Sequence, residues 1–117
     1  MSALALISDL VMGSHVTGAA SRAGVEITLV ASEESLVAKS ENLRPRLVIV
    51  DLSHPALEAL HLLERLRGIL SEEAMTVAFA PHVHKERLSA AAAAGFRLVI
   101  SRGQFHADIE AILKHYA

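Results

Sequence analysis

The chain contains no cysteine and no tryptophan. Disulfides, thiolate metal sites and cysteine nucleophiles are therefore excluded, which agrees with a reducing, cytoplasmic setting. Aromatic residues are scarce, with three Phe and one Tyr among 117 residues. No apolar run approaches the length of a membrane span, so no membrane partner is expected. The opening residues MSALALISD turn acidic too soon for a secretory leader. Eleven Lys and Arg stand against thirteen Asp and Glu, for a net charge of −2. That balance gives no basic face of the kind nucleic acid requires, and no nucleic-acid partner is expected.

What remains is apolar and small. Hydrophobic residues make up 52% of the chain, enough for a core in one domain of common size. Much of that fraction is alanine. No linker, repeat or low-complexity tract divides the sequence, and the alanine run 90–94 is accounted for by helix propensity. A single domain spanning residues 1–117 is expected, with no room for an output domain.

Strand-like and helix-like stretches alternate. Residues 3–8 (ALALIS) are a short apolar run ending at Asp9. Residues 14–23 read as a helix stopped by Gly24. Val25 to Val30 alternates and is rich in β-branched residues. Ser32 can cap a helix over 33–42, and Pro45 closes the connection that follows. Leu47 to Leu52 is nearly all apolar, as in a parallel strand covered on both faces. Pro55 suits a first helical turn, with Leu57, Leu60, Leu63 and Leu66 recurring at helical spacing. Thr76 to Ala80 is a fourth strand, His84 to Ala94 a helix stopped by Gly95, and Leu98 to Ser101 a fifth strand. The last helix carries Phe105, Ile109, Ile112, Leu113 and Tyr116 on one side.

This pattern predicts an α/β fold, a doubly wound (βα)5 three-layer sandwich. Right-handed crossovers favour the strand order 2-1-3-4-5, the flavodoxin-like arrangement. Its switch point lies at the C-terminal ends of the first and third strands. Asp9 and Asp51 follow those strands, so the two acids are expected to meet in one cleft.

The stretch RPRLVIVDLSHP with its leucine-rich helix, and AAAAAGFRLVISR near the end, resemble the receiver domain of two-component response regulators (CheY-like) over essentially the whole chain. The resemblance implies a phosphoryl-accepting aspartate after the third strand, two Mg²⁺-binding acids after the first, a Ser or Thr ending the fourth and a Lys ending the fifth. A carboxylate is a weak nucleophile that must be aimed. A hard divalent cation offsets charge on the transferring group. A hydroxyl and an ammonium hold phosphoryl oxygens. Carried onto this chain, Asp51 matches the acceptor and Asp9 the second acid, while Ser8 stands where the first acid belongs. Counting from Gly95, Ala80 falls on the hydroxyl position and Arg102 on the Lys position, with Gly103 where a proline usually follows. Arginine keeps the charge but offers a planar fork instead of a compact ammonium. Three of the five positions have changed, which marks a degenerate, atypical member.

Asp51 can thus be a slow phosphoacceptor, a weak Mg²⁺ ligand together with Asp9, or an inherited aspartate paired with Arg102; the pair is the preferred reading. His54, His82 and His84 border the same end of the sheet, but their spacing is no metal signature, and solvated loop histidines are the simpler account. His61 and His115 read as surface or boundary residues. Cobalamin-binding domains share the architecture and use a D-x-H-x-x-G loop; here the loop is DLVMGSH, with Val11 at the histidine position and His15 displaced. Flavin binding would use Gly13, Ser14, Thr17 and Gly18, without aromatics to sandwich a ring.

Receivers commonly dimerise or bind partners through the fourth helix, fifth strand and last helix. Arg87, Arg97, Phe105 and His106 are candidates for the rim of that face. The expected function is a stand-alone degenerate receiver-like domain, not an enzyme, that signals by binding another protein without normal aspartyl phosphorylation. The partner would be a histidine kinase, a downstream signalling protein or a second copy of the chain. An active phosphoacceptor on Asp51 with Mg²⁺, or a small-molecule-binding flavodoxin-like domain, are the alternatives.

Overall fold

Strands and helices alternate in the computed structural model, which describes residues 2–54 and 56–117. The order is β1 (Ser2–Leu6), α1 (Leu10–Ala23), β2 (Glu26–Val30), α2 (Glu33–Leu43), β3 (Leu47–Asp51), α3 (Ala59–Leu66), β4 (Met75–Ala80), α4 (Lys85–Ala94), β5 (Leu98–Ser101) and α5 (Arg102–Tyr116). The strands form one parallel sheet ordered β2-β1-β3-β4-β5. This is the topology that the alternation predicts.

The central strands are apolar on both sides because helices cover both faces. Ala3, Ala5, Leu47, Ile49, Val77 and Phe79 pack toward α1 and α5, against Val16, Phe105, Ile109 and Leu113. Leu4, Leu6, Val48, Val50, Ala78 and Ala80 face the other layer, against Leu36, Leu62, Leu66 and Ala91 of α2, α3 and α4. The β-strand period of two thus divides each strand between two cores.

Helix ends follow local chemistry. The Asp9 side chain caps α1, accepting from the Val11 and Met12 N–H groups. The helix therefore begins at Leu10, four residues before the expected start at 14. Gly24, at φ 69°, returns its N–H to the Ala20 and Ser21 carbonyls. The Ser32 hydroxyl accepts from Ser35 N–H and caps α2 as expected. Its far end is Arg44, a non-glycine residue at φ 44°, and Pro45 then bars further helix.

Two expectations about helix faces are corrected. In α3 the buried positions are Leu62, Leu63 and Leu66, and Leu60 is 47% exposed. Leu63 and Leu66 of the expected stripe are buried and Leu57 packs against the same core, but Leu62 takes the inward place of Leu60, in a helix that starts at Ala59 with Glu58 as its cap; Pro55 lies outside the described residues. Phe105 is fully buried. It stacks on Phe79 with ring centroids 4.1 Å apart and planes 4° from parallel, so it belongs to the core between the sheet and α5 and not to a binding rim.

Candidate functional site

Parallel pairing places Leu6 of β1 beside Val50 of β3. Asp9 and Asp51 consequently lie at the same end of the sheet, as the topology requires. Asp51 is 5% exposed, and its Oδ1 accepts from the Ser53 N–H at 2.9 Å. Asp9 is engaged through both oxygens. Oδ1 accepts from Val11 N–H at 2.8 Å and Met12 N–H at 3.3 Å, and Oδ2 accepts from Arg102 Nη2.

Arg102, the first residue of α5, turns inward. Its Nη1 lies 3.8 Å from Asp51 Oδ2, beyond hydrogen-bond reach but within ion-pair range. The expected Asp51–Arg102 pair is therefore the looser half of a three-membered cluster, and Asp9 is the tighter partner. The Arg102 guanidinium and then the Met12 N–H hold the Asp9 carboxyl below its ordinary range, against the opposing effect of desolvation. Capping and charge pairing thus use the same side chain, a double duty that a count of acids does not reveal. The signal was present in sequence: an aspartate just before a helix is a preferred N-cap.

Ala80 ends β4 opposite Ser101 of β5 and is fully buried. Its methyl group faces the α2–α3–α4 core and offers no donor to the cleft. Ser8 is exposed and borders, with Asp9, Gly13, Thr17 and Leu29, a shallow pocket on the far flank of Asp9.

The proposed rim residues disperse. Arg87 of α4 turns toward the loop after β3, where Nη1 donates to the Leu52 carbonyl and, at 3.5 Å, to the His54 carbonyl. It ties α4 to the loop that follows Asp51. Arg97 donates to the Glu72 carbonyl, just before β5 and so at the opposite end of the sheet from the acids. His106 is exposed and meets His15 of α1 edge to face, with ring centroids 4.5 Å apart. Both histidines line a cavity of about 420 Å³ together with Val11, Met12, Pro81, His82, Arg102 and Gly103. His82 therefore shares a cavity with His15 and His106, whereas His54 and His84 do not line it.

Exposed apolar side chains also gather near this end. Leu10 is 89% exposed, Val11 66% and Val83 67%; the first two sit in the first turn of α1 and the third in the β4–α4 loop. Their periodicity gives no hint of exposure, because the helix that carries Leu10 and Val11 begins earlier than the hydrophobic pattern does.

Asp9 and Asp51 offer the hard oxygen donors that Mg²⁺ takes, and Mg²⁺ is the cofactor consistent with such a cleft. The donor set does not fit the ion as it stands. Ser8 supplies no charge, both Asp9 oxygens are engaged, and a guanidinium already neutralises the acids.

No family model matches the sequence, and no curated protein matches it. Solved structures do resemble it. The receiver domain of a sensor histidine kinase from Pseudomonas aeruginosa, with a magnesium ion coordinated in its active-site cleft, superposes with a TM-score of 0.80 at 17% identity, covering 98% of this chain and 95% of that one. A response regulator from Hahella chejuensis gives a TM-score of 0.82 at 15% identity, covering 97% and 92%. The receiver domain in a co-crystal of a Saccharomyces cerevisiae histidine phosphotransfer protein with its downstream response regulator gives 0.73 at 12% identity, covering 87% and 78%. Strand order, helix layers and the placement of Asp51 at the end of β3 lead to one conclusion: the chain has the CheY-like receiver-domain fold of the response regulators.

Proposed function

We propose that this domain acts in signalling by binding another protein, and that its binding surface is set without normal aspartyl phosphorylation. One observation carries the reading: the Arg102 guanidinium bridges Asp9 and Asp51. The cleft thus holds an internal cation where a phosphoryl-transfer site needs a metal and an open carboxylate. Two further features support it. Ala80 has no hydroxyl to move toward a phosphoryl group, so modification of Asp51 would lack that differential contact for biasing α4. Arg87 already joins α4 to the loop after Asp51, a link that depends on no ligand. The exposed Leu10, Val11 and Val83 favour a protein contact at this end of the sheet. A partner of the histidine kinase or phosphotransfer class suits the fold, by analogy with the yeast complex.

The second reading is an active phosphoacceptor. It is favoured by Asp51, whose Oδ2 accepts no hydrogen bond among the described residues and meets the Arg102 guanidinium only at 3.8 Å. It predicts Mg²⁺-dependent modification that Asp51→Asn abolishes.

An NMR titration of the backbone amides with Mg²⁺ and then beryllofluoride separates the two. Shifts confined to residues around Asp9, Asp51 and Arg102 are expected. Shifts that spread through α4 and β5 would overturn the constitutive reading and establish a working switch.

A further inference from the structure

The cavity of about 420 Å³ beside α1 and α5 has a one-sided polar lining: Arg102 and the imidazoles of His15, His82 and His106. No carboxylate is among the described residues that line it. Val11, Met12 and Pro81 supply an apolar wall. From this pairing of cationic donors with an apolar surface, we infer that the cavity is a binding site for a small organic monoanion. Its oxyanion head would meet the donors and its ring-sized apolar body the wall.

The donors decide the sign of the ligand. A guanidinium carries five N–H donors. Among the described residues Arg102 uses Nη2 on Asp9, while Nη1 stands 3.8 Å from Asp51, outside hydrogen-bond reach. Donors are thus left for a ligand. Both acids lie outside the lining, so an entering head group meets N–H groups and no carboxylate. A neutral imidazole offers one N–H; a protonated one offers two and a positive charge. Proton uptake by the rings supplies the charge that Asp9 and Asp51 draw from Arg102. The His15 and His106 rings brace one another edge to face, with centroids 4.5 Å apart and planes at 86°. Donors from α1 and α5 are therefore positioned before a ligand arrives, which lowers the cost of binding.

Size and polarity set the class. The volume lies toward the small end of ligand pockets, with room for a ring and a head group. Val11 is 66% exposed, apolar surface that a ring-sized body would take from water. A polyanion is disfavoured, because Asp9 and Asp51 already share the single guanidinium and would repel further negative charge. A ligand in place would touch α1, α5 and the β4–α4 loop at once, beside the residue that neutralises the acidic cleft.

The probe is benzoate, a ring with one carboxylate, titrated into the whole chain and followed by NMR of the amides and histidine rings. Saturable shifts at Val11, Met12 and Gly103 and at the His15 and His106 rings are expected, with a Kd on the order of a few millimolar for so small a ligand. Benzamide, the neutral counterpart, should bind on the order of tenfold more weakly, and so should acetate, which has the head without the body. His15→Ala and His106→Ala each remove a ring donor and should weaken benzoate several-fold. Both side chains are exposed, so both variants should keep the fold, with amide shifts confined to their surroundings. His61→Gln, on α3, should bind as the wild type does. Equal affinity for benzoate and benzamide would overturn the proposal, because the head would not be read as an anion. Equal affinity for benzoate and acetate would overturn it as well, because the apolar wall would contribute nothing. So would weakened binding in the His61 variant, or unchanged affinity in both the His15 and His106 variants. Shifts centred on Ser53 in the acidic cleft, or no saturation by ~20 mM benzoate, would also sink it.

Discussion

Asp9 and Arg102, 93 positions apart in sequence, are hydrogen-bonded across the mouth of the cleft. The bond joins the N-cap of α1 to the first residue of α5. The charge of Asp9 here closes a contact between two helices. Asp9 titrates accordingly: its carboxyl is held below the ordinary value of 3.8, first by Arg102 and then by Met12 N–H. The folded state therefore binds this proton less readily than the unfolded chain. The stabilisation is complete above the unfolded value and is lost as pH falls through the lowered folded value. In Arg102→Ala the Asp9 pKa should rise, and its share of the acid destabilisation should shrink. Carboxyl-carbon NMR titration measures the shift directly; an unchanged Asp9 pKa would mean that capping alone sets it.

The same substitution bears on metal binding. Removing the guanidinium leaves Asp9 and Asp51 facing one another without a counter-charge. Mg²⁺ should then bind more tightly, on the order of tenfold or about 1.4 kcal/mol. Amide shifts of Ser53 and Met12 against Mg²⁺ concentration report the affinity. Weaker binding in the variant would show that Arg102 assists the ion instead of replacing it.

The fold was legible because it rests on period and punctuation. Runs such as LVIV, the stops at Gly24 and Gly95, and the cap at Ser32 each act locally, and the structure retains them. The meeting of Asp9 with Asp51 was also legible, since it follows from strand order. Side-chain direction was not. Whether Arg102 prefers Asp9 or Asp51 depends on differences of an ångström or two, and Arg87 chose carbonyls of a loop that carries no sequence signal for an arginine. Phe105 was misplaced for a different reason. A lone aromatic near a helix start fits a rim or a core equally well until its partner, Phe79 of β4, is located across the layer.

That partnership predicts a large stability effect. Phe79 and Phe105 are both fully buried and stacked. Phe105→Ala removes one ring and leaves a cavity beside the other, at a cost of about 3–5 kcal/mol. Urea denaturation followed by circular dichroism measures it. A cost below about 1.5 kcal/mol would show that α5 collapses into the space or that the ring is solvated.

Ser40 predicts the opposite sign. It is fully buried in α2, and its hydroxyl is the one buried side-chain polar atom without a hydrogen-bond partner among the described residues. Desolvating an unpaired hydroxyl opposes folding, and alanine has the higher helix propensity. Ser40→Ala should be neutral or stabilising by up to about 1 kcal/mol. A loss of stability in thermal melts would reveal a bonding role for the hydroxyl.

Arg87 offers the most direct test of how α4 communicates with the cleft. Its Nη1 donates to the carbonyls of Leu52 and His54, the residues one and three beyond Asp51. Packing also joins these segments, since Leu52 and Ala91 share a core. The two contributions separate by substitution. Arg87→Ala removes the charged donor and leaves the apolar contact, so global stability should fall by only about 0.5–1 kcal/mol, as for other solvent-screened charges. The local effect should be larger than the global one. Ser53 N–H is held by Asp51 Oδ1, and its exchange with deuterium reports opening of the loop. Exchange should accelerate several-fold to about tenfold in the variant while core amides such as Ile49 hold their rates. Arg87→Lys should recover part of the protection, because a lysine ammonium can still donate to these carbonyls but lacks the rigid planar group that positions Arg87 Nη1 between them. If Ser53 exchange were unchanged in Arg87→Ala, the loop would be held by Leu52 and Ala91 packing alone. The link between α4 and Asp51 would then be hydrophobic, and a partner docking on α4 could reach the cleft only by displacing that packing.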